Sequence, residues 1–116
     1  PTIVLKNKKP FLVIGSLGGS TIITTIMQVI LNVVVFGMDI KEAVSSPRFH
    51  SQWLPDVIMT EPRGLSKDVI KTLVSRGHTL TPYRWGYIGE ANGILIGKNG
   101  FYGGGDTRGE TSSAGY

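Results

Sequence analysis

Cysteine is absent, which removes both a disulfide framework and a thiolate metal site. Charge is scarce at 17% of residues, and the balance of +4 with an isoelectric point near 9.6 comes mostly from dispersed lysines and arginines. Only Lys6, Lys8 and Lys9 lie together. No nucleic-acid-binding motif accompanies them, so they read as a solvated surface and no nucleic-acid partner is expected. Long hydrophobic runs are lacking too. A membrane-crossing helix needs roughly twenty mostly apolar residues, whereas the longest candidate, Ser20 to Phe36, is broken by Thr24, Thr25, Gln28 and Asn32. With no initiator methionine or signal peptide before Pro1, a cut precursor or a segment of a longer chain is expected.

Glycine, in contrast, is abundant, with 16 in 116 residues. The stretch that organises the rest is Phe11-Leu-Val-Ile-Gly-Ser-Leu-Gly-Gly-Ser20 and the apolar run after it. Leu12, Val13 and Ile14 suit a buried strand, and Gly15, Gly18 and Gly19 mark a turn. Amide N–H groups at the start of the following helix lack intrahelical acceptors and lie at the positive end of its dipole. Gly18 and Gly19 are thus candidates for holding developing negative charge, the alternative being a tight turn whose glycines only ease packing.

The remaining elements follow from local chemistry. Thr2–Leu5 reads as a strand that returns through Lys6–Lys9 into Phe11–Ile14. Thr21, Thr25, Gln28 and Asn32 form one narrow polar stripe, so Ser20–Phe36 is expected to be a core helix, buried nearly all round, with Ser20 as its cap and Gly37 ending it. A short helix from Asp39, its N-cap, to Val44 stops at Ser45-Ser-Pro47. Arg48–Asp56 reads as an ordered loop and Val57–Glu61 as a strand. Ser66–Gly77 is a helix capped by Ser66, with Val69, Ile70, Leu73 and Val74 facing inward. Strands at His78–Tyr83, Ala91–Gly97 and Phe101–Tyr102 complete the pattern, with a loop over Arg84–Glu90 and a turn over Lys98–Gly100. Gly103-Gly-Gly-Asp106 opens a low-complexity tail expected to lie across the surface. Neither a repeat nor a linker divides residues 1–116, and the class is α+β with mostly antiparallel strands.

Several kinds of chemistry are excluded by position. Ile14 stands where a G-x-S-x-G nucleophile elbow would need glycine, and no Gly-Lys-Ser/Thr follows the turn as a phosphate loop requires. His50 and His78 lack a partner at metal-ligand spacing; a relay from His50 to Asp56 is conceivable, but packed or surface histidines are the simpler reading. Glu61, Glu90, Asp106 and Glu110 show no acid/base spacing. No metal and no organic cofactor is implied. What remains is a set of oxyanion donors without a nucleophile, as expected for one part of an acyl-transfer apparatus.

Pro1-Thr-Ile-Val4, Gly15-Ser-Leu-Gly-Gly-Ser20, Ile22-Ile-Thr-Thr25, Gln28-Val-Ile-Leu-Asn-Val33, Glu42-Ala43, Ser46-Pro-Arg-Phe-His50, Gln52-Trp-Leu-Pro-Asp56 and Ala114-Gly-Tyr116, in that order, resemble the γ-glutamyltranspeptidase family. The resemblance covers essentially the whole chain and points to the C-terminal part of the small subunit of a bacterial enzyme. It implies an N-terminal nucleophile hydrolase fold, a four-layer αββα sandwich matured by autoproteolysis. It also implies a threonine nucleophile upstream of Pro1, attacking the γ-glutamyl amide of a substrate such as glutathione. The glutamyl group then passes to water, an amino acid or a peptide. In that family an adjacent glycine pair forms the oxyanion hole, which assigns the role to Gly18 and Gly19, and a substrate-holding pair of serines would precede Pro1. The implied partners are the large subunit and the remainder of the small subunit, and the implied location is periplasmic or secreted. Leu17 replaces the family's usual proline in the turn, and Thr107 stands in the usual Asp-Pro-Arg. A non-catalytic member or interaction module, or a variant acting on poly-γ-glutamate, is the alternative.

Overall fold

The computed structural model describes residues 1–115, so Tyr116 of the terminal Ala114-Gly-Tyr motif lies outside the described residues. Strands β1 (Thr2–Lys6) and β2 (Lys9–Leu17) form the expected hairpin. Asn7 and Lys8 adopt φ of 54° and 63°, the left-handed pair that lets a two-residue loop follow the strands' twist. β2 runs past its expected end at Ile14, because Gly15, Ser16 and Leu17 pair with Asn92, Ala91 and Glu90 of β6 (Glu90–Gly97). β7 (Gly100–Gly104) returns from β6 through Lys98 and Asn99 and is longer than the Phe101–Tyr102 expected. The resulting four-stranded antiparallel sheet has the order β1-β2-β6-β7.

One face of this sheet is covered by α1 (Ile22–Val34) and α2 (Ile40–Ser45). Leu12, Ile14, Val29, Val33, Ile40, Ala43, Val44 and Ala91 form the core there. Each fully buried aliphatic side chain among them contributes about 1.5–3 kcal/mol relative to exposure. On the opposite face Ile3, Val13 and Ile94 stand side by side across three strands, and Ile3 and Ile94 are exposed. The chain thus folds as a helical layer on a sheet whose other face leaves Ile3 and Ile94 exposed.

A second, three-stranded sheet of β3 (Phe49–His50), β4 (Ile58–Thr60) and β5 (Leu80–Pro82) has the order β3-β4-β5. Its β4–β5 pairing is parallel, as the crossover through α3 (Lys67–Ser75) requires; the other pairings are antiparallel. The expected loop Arg48–Asp56 therefore contains a strand. Phe49 and His50 were hidden because two residues carry no periodicity.

Helix α1 departs from expectation in two ways. Ser20 provides no cap; a 3-10 turn over Gly19–Thr21 precedes the helix, and the Thr21 hydroxyl and N–H both donate to the Gly18 carbonyl. The helix is also not buried all round. Thr21, Thr25 and Gln28 are buried, whereas Ile23, Met27, Leu31 and Val34 are exposed. The reason is β3, one of whose edges has no strand beside it. Gln28 takes that place, donating to the Phe49 carbonyl at 2.7 Å and accepting from the Phe49 N–H at 3.1 Å. Asn32 lies along the same stripe and donates to the Ala43 carbonyl at 3.3 Å.

Asp39 and Ser66 cap α2 and α3 as read from the sequence, accepting from the N–H groups of Glu42 and Val69. The inward face assigned to α3 is only lightly covered: Ile70 and Leu73 are half-buried, while Val69 and Val74 are exposed. No helix among the described residues is long and apolar enough to cross a membrane.

Candidate functional site

At the end of β2 the chain turns through Gly18, with φ 136°, and Gly19, with φ 60°, both in the positive-φ region that favours glycine. Both glycines are exposed, and neither amide N–H has an acceptor among the described residues. They open the 3-10 turn that leads into α1, on the side of the positive end of its dipole. The Gly18 carbonyl is tied down by Thr21, so the peptide that presents the Gly19 N–H is held from its carbonyl side. The arrangement has two free donors on a backbone that carries no Cβ to obstruct a bound group. It can lower the energy of an oxyanion formed there.

The turn rests on Gly89. A Cβ on Gly18 would lie 3.0 Å from the Gly89 Cα. Gly89 has φ 64°, and a Cβ there would meet the Thr25 hydroxyl at 2.5 Å and the Leu17 carbonyl and Ser16 hydroxyl at 3.2 Å. Two glycines in the loop and strand pairing thereby allow backbone to pack on backbone. Gly89 fell in the expected Arg84–Glu90 loop, and only its position beside Gly18 makes it notable. Leu17, in the place of the family's proline, is exposed and paired with Glu90.

Behind Gly89 lies a buried ionic cluster. Arg48 pairs with Asp106 at 2.7 Å, and Arg108 bridges Glu61 and the other Asp106 oxygen, the latter at 2.9 Å. Formal charge cancels within the group. Arg48 also donates to the carbonyls of Val44, Ile88 and Gly89, and Arg108 to those of Val44 and Ser46 at the end of α2. The carboxylates take backbone N–H groups in return. Glu61 accepts from Arg48 and Ile88 at 2.8 and 2.6 Å, and Asp106 from Ala91 at 2.8 Å. Burial works to raise the Asp106 carboxyl, but the Ala91 N–H and both guanidiniums outweigh it and hold the group below its ordinary value. Burial lowers Arg48, while bonds to Glu61 and Asp106 carry Arg108 upward against the same effect.

This cluster corrects the expectation of a surface tail. Gly104, Gly105 and Asp106 are buried, and only from Thr107 onward does exposure return. A carboxylate needed by two buried arginines cannot remain outside. The segment near Ser113 does lie over the sheet, its hydroxyl donating to the Gly103 carbonyl. Glu61 and Arg108 were not singled out together, since they are far apart in sequence. The one available signal was a charged Asp106-Thr-Arg108 set among glycines.

His50 is buried between Thr24, at 2.7 Å from Nδ1, and Gln52, at 2.9 Å from Nε2. Asp56 is not brought to it, and no cluster able to hold a metal ion occurs among the described residues. Its role here is to join α1 to β3.

A family model described as gamma-glutamyltranspeptidase matches residues 1–116. The chain is 42% identical to the glutathione hydrolase proenzyme of Escherichia coli, covering 100% of this chain and 20% of the relative. It is also 42% identical to that of a Pseudomonas species, covering 98% and 21%. The chain thus spans about a fifth of the length of these curated relatives. Among solved structures, the Helicobacter pylori gamma-glutamyltranspeptidase T380A mutant superposes with a TM-score of 0.86 at 49% identity, covering 94% of this chain and 60% of the other. The Pseudomonas nitroreducens gamma-glutamyltranspeptidase complexed with L-DON gives 0.88 at 32% identity, covering 100% and 61%.

Proposed function

The chain belongs to the gamma-glutamyltranspeptidase family, with the α+β architecture of an N-terminal nucleophile hydrolase, and from that premise we propose that it is the C-terminal part of a small catalytic subunit. In the assembled enzyme it serves the cleavage of γ-glutamyl amides, glutathione being the expected substrate, with transfer of the glutamyl group to water, an amino acid or a peptide. Gly18 and Gly19 are its contribution to the chemistry. The observation that carries this reading is the turn itself: two exposed glycines whose amide N–H groups have no acceptor among the described residues, just ahead of a helix.

A threonine hydroxyl from the upstream segment attacks the γ-carbonyl carbon, giving its proton to the threonine's own α-amine. The carbonyl π pair moves to oxygen, and the Gly18 and Gly19 N–H groups receive that oxyanion. Collapse expels the amine, which takes up the proton, and leaves a glutamyl ester. Water or an acceptor amine then attacks the ester carbonyl, giving its proton to the same α-amine. The second adduct is held by the same donors, and its collapse breaks the ester C–O bond, the threonine oxygen taking that proton as the glutamyl acid or new amide leaves.

Strand register supports the placement. Thr2 pairs with Ile14, so continuation of β1 before Pro1 would set the preceding residues beside Ser16 and Leu17. A pair of serines there would border the glycine turn. The apolar outer face of α1 and the exposed Ile3 and Ile94 of the large sheet are the surfaces where the remainder of the small subunit and the large subunit would pack. A periplasmic or secreted location follows from the family resemblance alone.

The test uses the full precursor. Its processed form should release p-nitroaniline from a γ-glutamyl anilide, and a complex with a glutamyl adduct should place both N–H groups within hydrogen-bond distance of the adduct oxygen. Correctly processed protein without turnover would favour a non-catalytic member, for which Leu17 in the turn is the observation at hand.

A further inference from the structure

The buried ionic cluster grips one short piece of backbone on both sides. Glu61 takes the N–H of Ile88 and Asp106 that of Ala91, while Arg48 donates to the carbonyls of Ile88 and Gly89. Gly89, in the middle, is the surface on which Gly18 packs. The pairs Ser16–Ala91 and Leu17–Glu90 join the two segments on the other side of the contact. Arg108 touches none of these backbone groups; it holds Glu61 and Asp106 in place for the residues that do.

We propose that Arg48, Glu61, Asp106 and Arg108 are positioning residues for acyl transfer, holding Ile88–Ala91 as a rigid seat that aims the Gly18–Gly19 donors. The proposal rests on the reading of those glycines as the oxyanion hole. Its physical basis is that an oxyanion donor acts through preorganisation. A donor that must be moved into place at the moment of reaction loses much of its effect, and a misplacement near 1 Å can cost about 100-fold in rate. A turn made of glycines has little stiffness of its own, so its aim must come from what it is packed against. Here that support is a charge-balanced network buried beneath the contact, tied to α2 through the Val44 and Ser46 carbonyls.

Two variants of the full-length, processed enzyme test this. Arg48→Lys keeps the charge but cannot reach Asp106, Val44, Ile88 and Gly89 together with one ammonium. Gly89→Ala leaves all four charged residues intact and disturbs only the seat, where the new Cβ would meet the Thr25 hydroxyl and the Leu17 carbonyl. Both should lower kcat on a γ-glutamyl anilide by about 10- to 100-fold with KM within about twofold. A tetrahedral boronate carrying the glutamyl head should lose affinity by the same factor, while inhibition by L-glutamate, whose γ-carboxylate is planar, stays unchanged. If Arg48→Lys does not yield processed enzyme, Gly89→Ala carries the test alone. Unchanged kcat and boronate affinity in either processed variant would overturn the proposal, as would parallel loss of glutamate and boronate binding.

The wild-type boronate complex separates this failure from that of the underlying reading. Donors turned away from the boronate oxygen would overturn both. Donors on the oxygen, with variants of unchanged kcat, would overturn only the seat.

Discussion

Two glycine-rich stretches of this chain have similar composition and opposite environments. Gly15–Ser20 ends in an exposed turn, with the Gly18 and Gly19 N–H groups lacking an acceptor among the described residues and an apolar helix following. Gly103-Gly104-Gly105 leads inward to Asp106, and a Cβ on Gly104 would lie 2.8 Å from the Ile40 carbonyl of α2. In the first stretch the missing side chain leaves room for a ligand; in the second it lets a strand press against a helix. What separates them is the residue that follows. A helix start supplies unpaired donors, whereas an aspartate required by two buried arginines draws its neighbours into the interior.

The comparison can be broken most forcefully at Asp106. Asp106→Ala would leave Arg48 without its carboxylate and Arg108 with only one, and should destabilise the assembled protein by about 3–5 kcal/mol in urea denaturation. The same group predicts an acid limb. Its folded pKa lies below the ordinary 3.8, so its contribution is complete above that value and is lost as pH falls through the lower folded pKa. Asp106→Asn should remove that part of the pH slope, and an unaltered slope would mean the carboxylate is not held as described.

Gly18→Ala should act on rate beyond its cost in backbone strain. A Cβ at φ 136° would run into the Thr21 hydroxyl, and displacing the turn should cost kcat about 3 kcal/mol of transition-state stabilisation with KM little changed. Gly104→Ala is the mirror experiment, expected to cost about 1–3 kcal/mol of stability through overpacking on Ile40 while processed enzyme keeps its kcat. Reversed outcomes for the two alanines would dissolve the distinction between the stretches. The smallest effect belongs to Ser66→Ala, which removes an exposed cap and should cost about 1 kcal/mol, read by hydrogen exchange confined to α3.

Legibility follows the range of the cause. The caps at Asp39 and Ser66, the hairpin at Asn7–Lys8 and the turn at Lys98–Asn99 were readable because each depends on atoms within a few residues. Gly18 and Gly19 were readable for the same reason, as a strand end followed by a helix start. The orientation of α1 was not. The stripe of Thr25 and Gln28 on a helix expected to be buried nearly all round gives no direction until β3 is known to need an amide beside its open edge. Likewise Glu61 and Arg108 appear as ordinary surface charges until the fold brings them into contact.

By itself the sequence determined the α+β class, the family resemblance and a pair of side-chain-free residues at a helix start, since these depend on local pattern and backbone freedom. Only the tertiary structure decided which face of α1 turns inward, that the tail is drawn in at Asp106, and that Gly89 lies under Gly18. Those outcomes depend on desolvating charge and satisfying backbone groups between segments far apart in the chain, and such demands exist only once the segments have met.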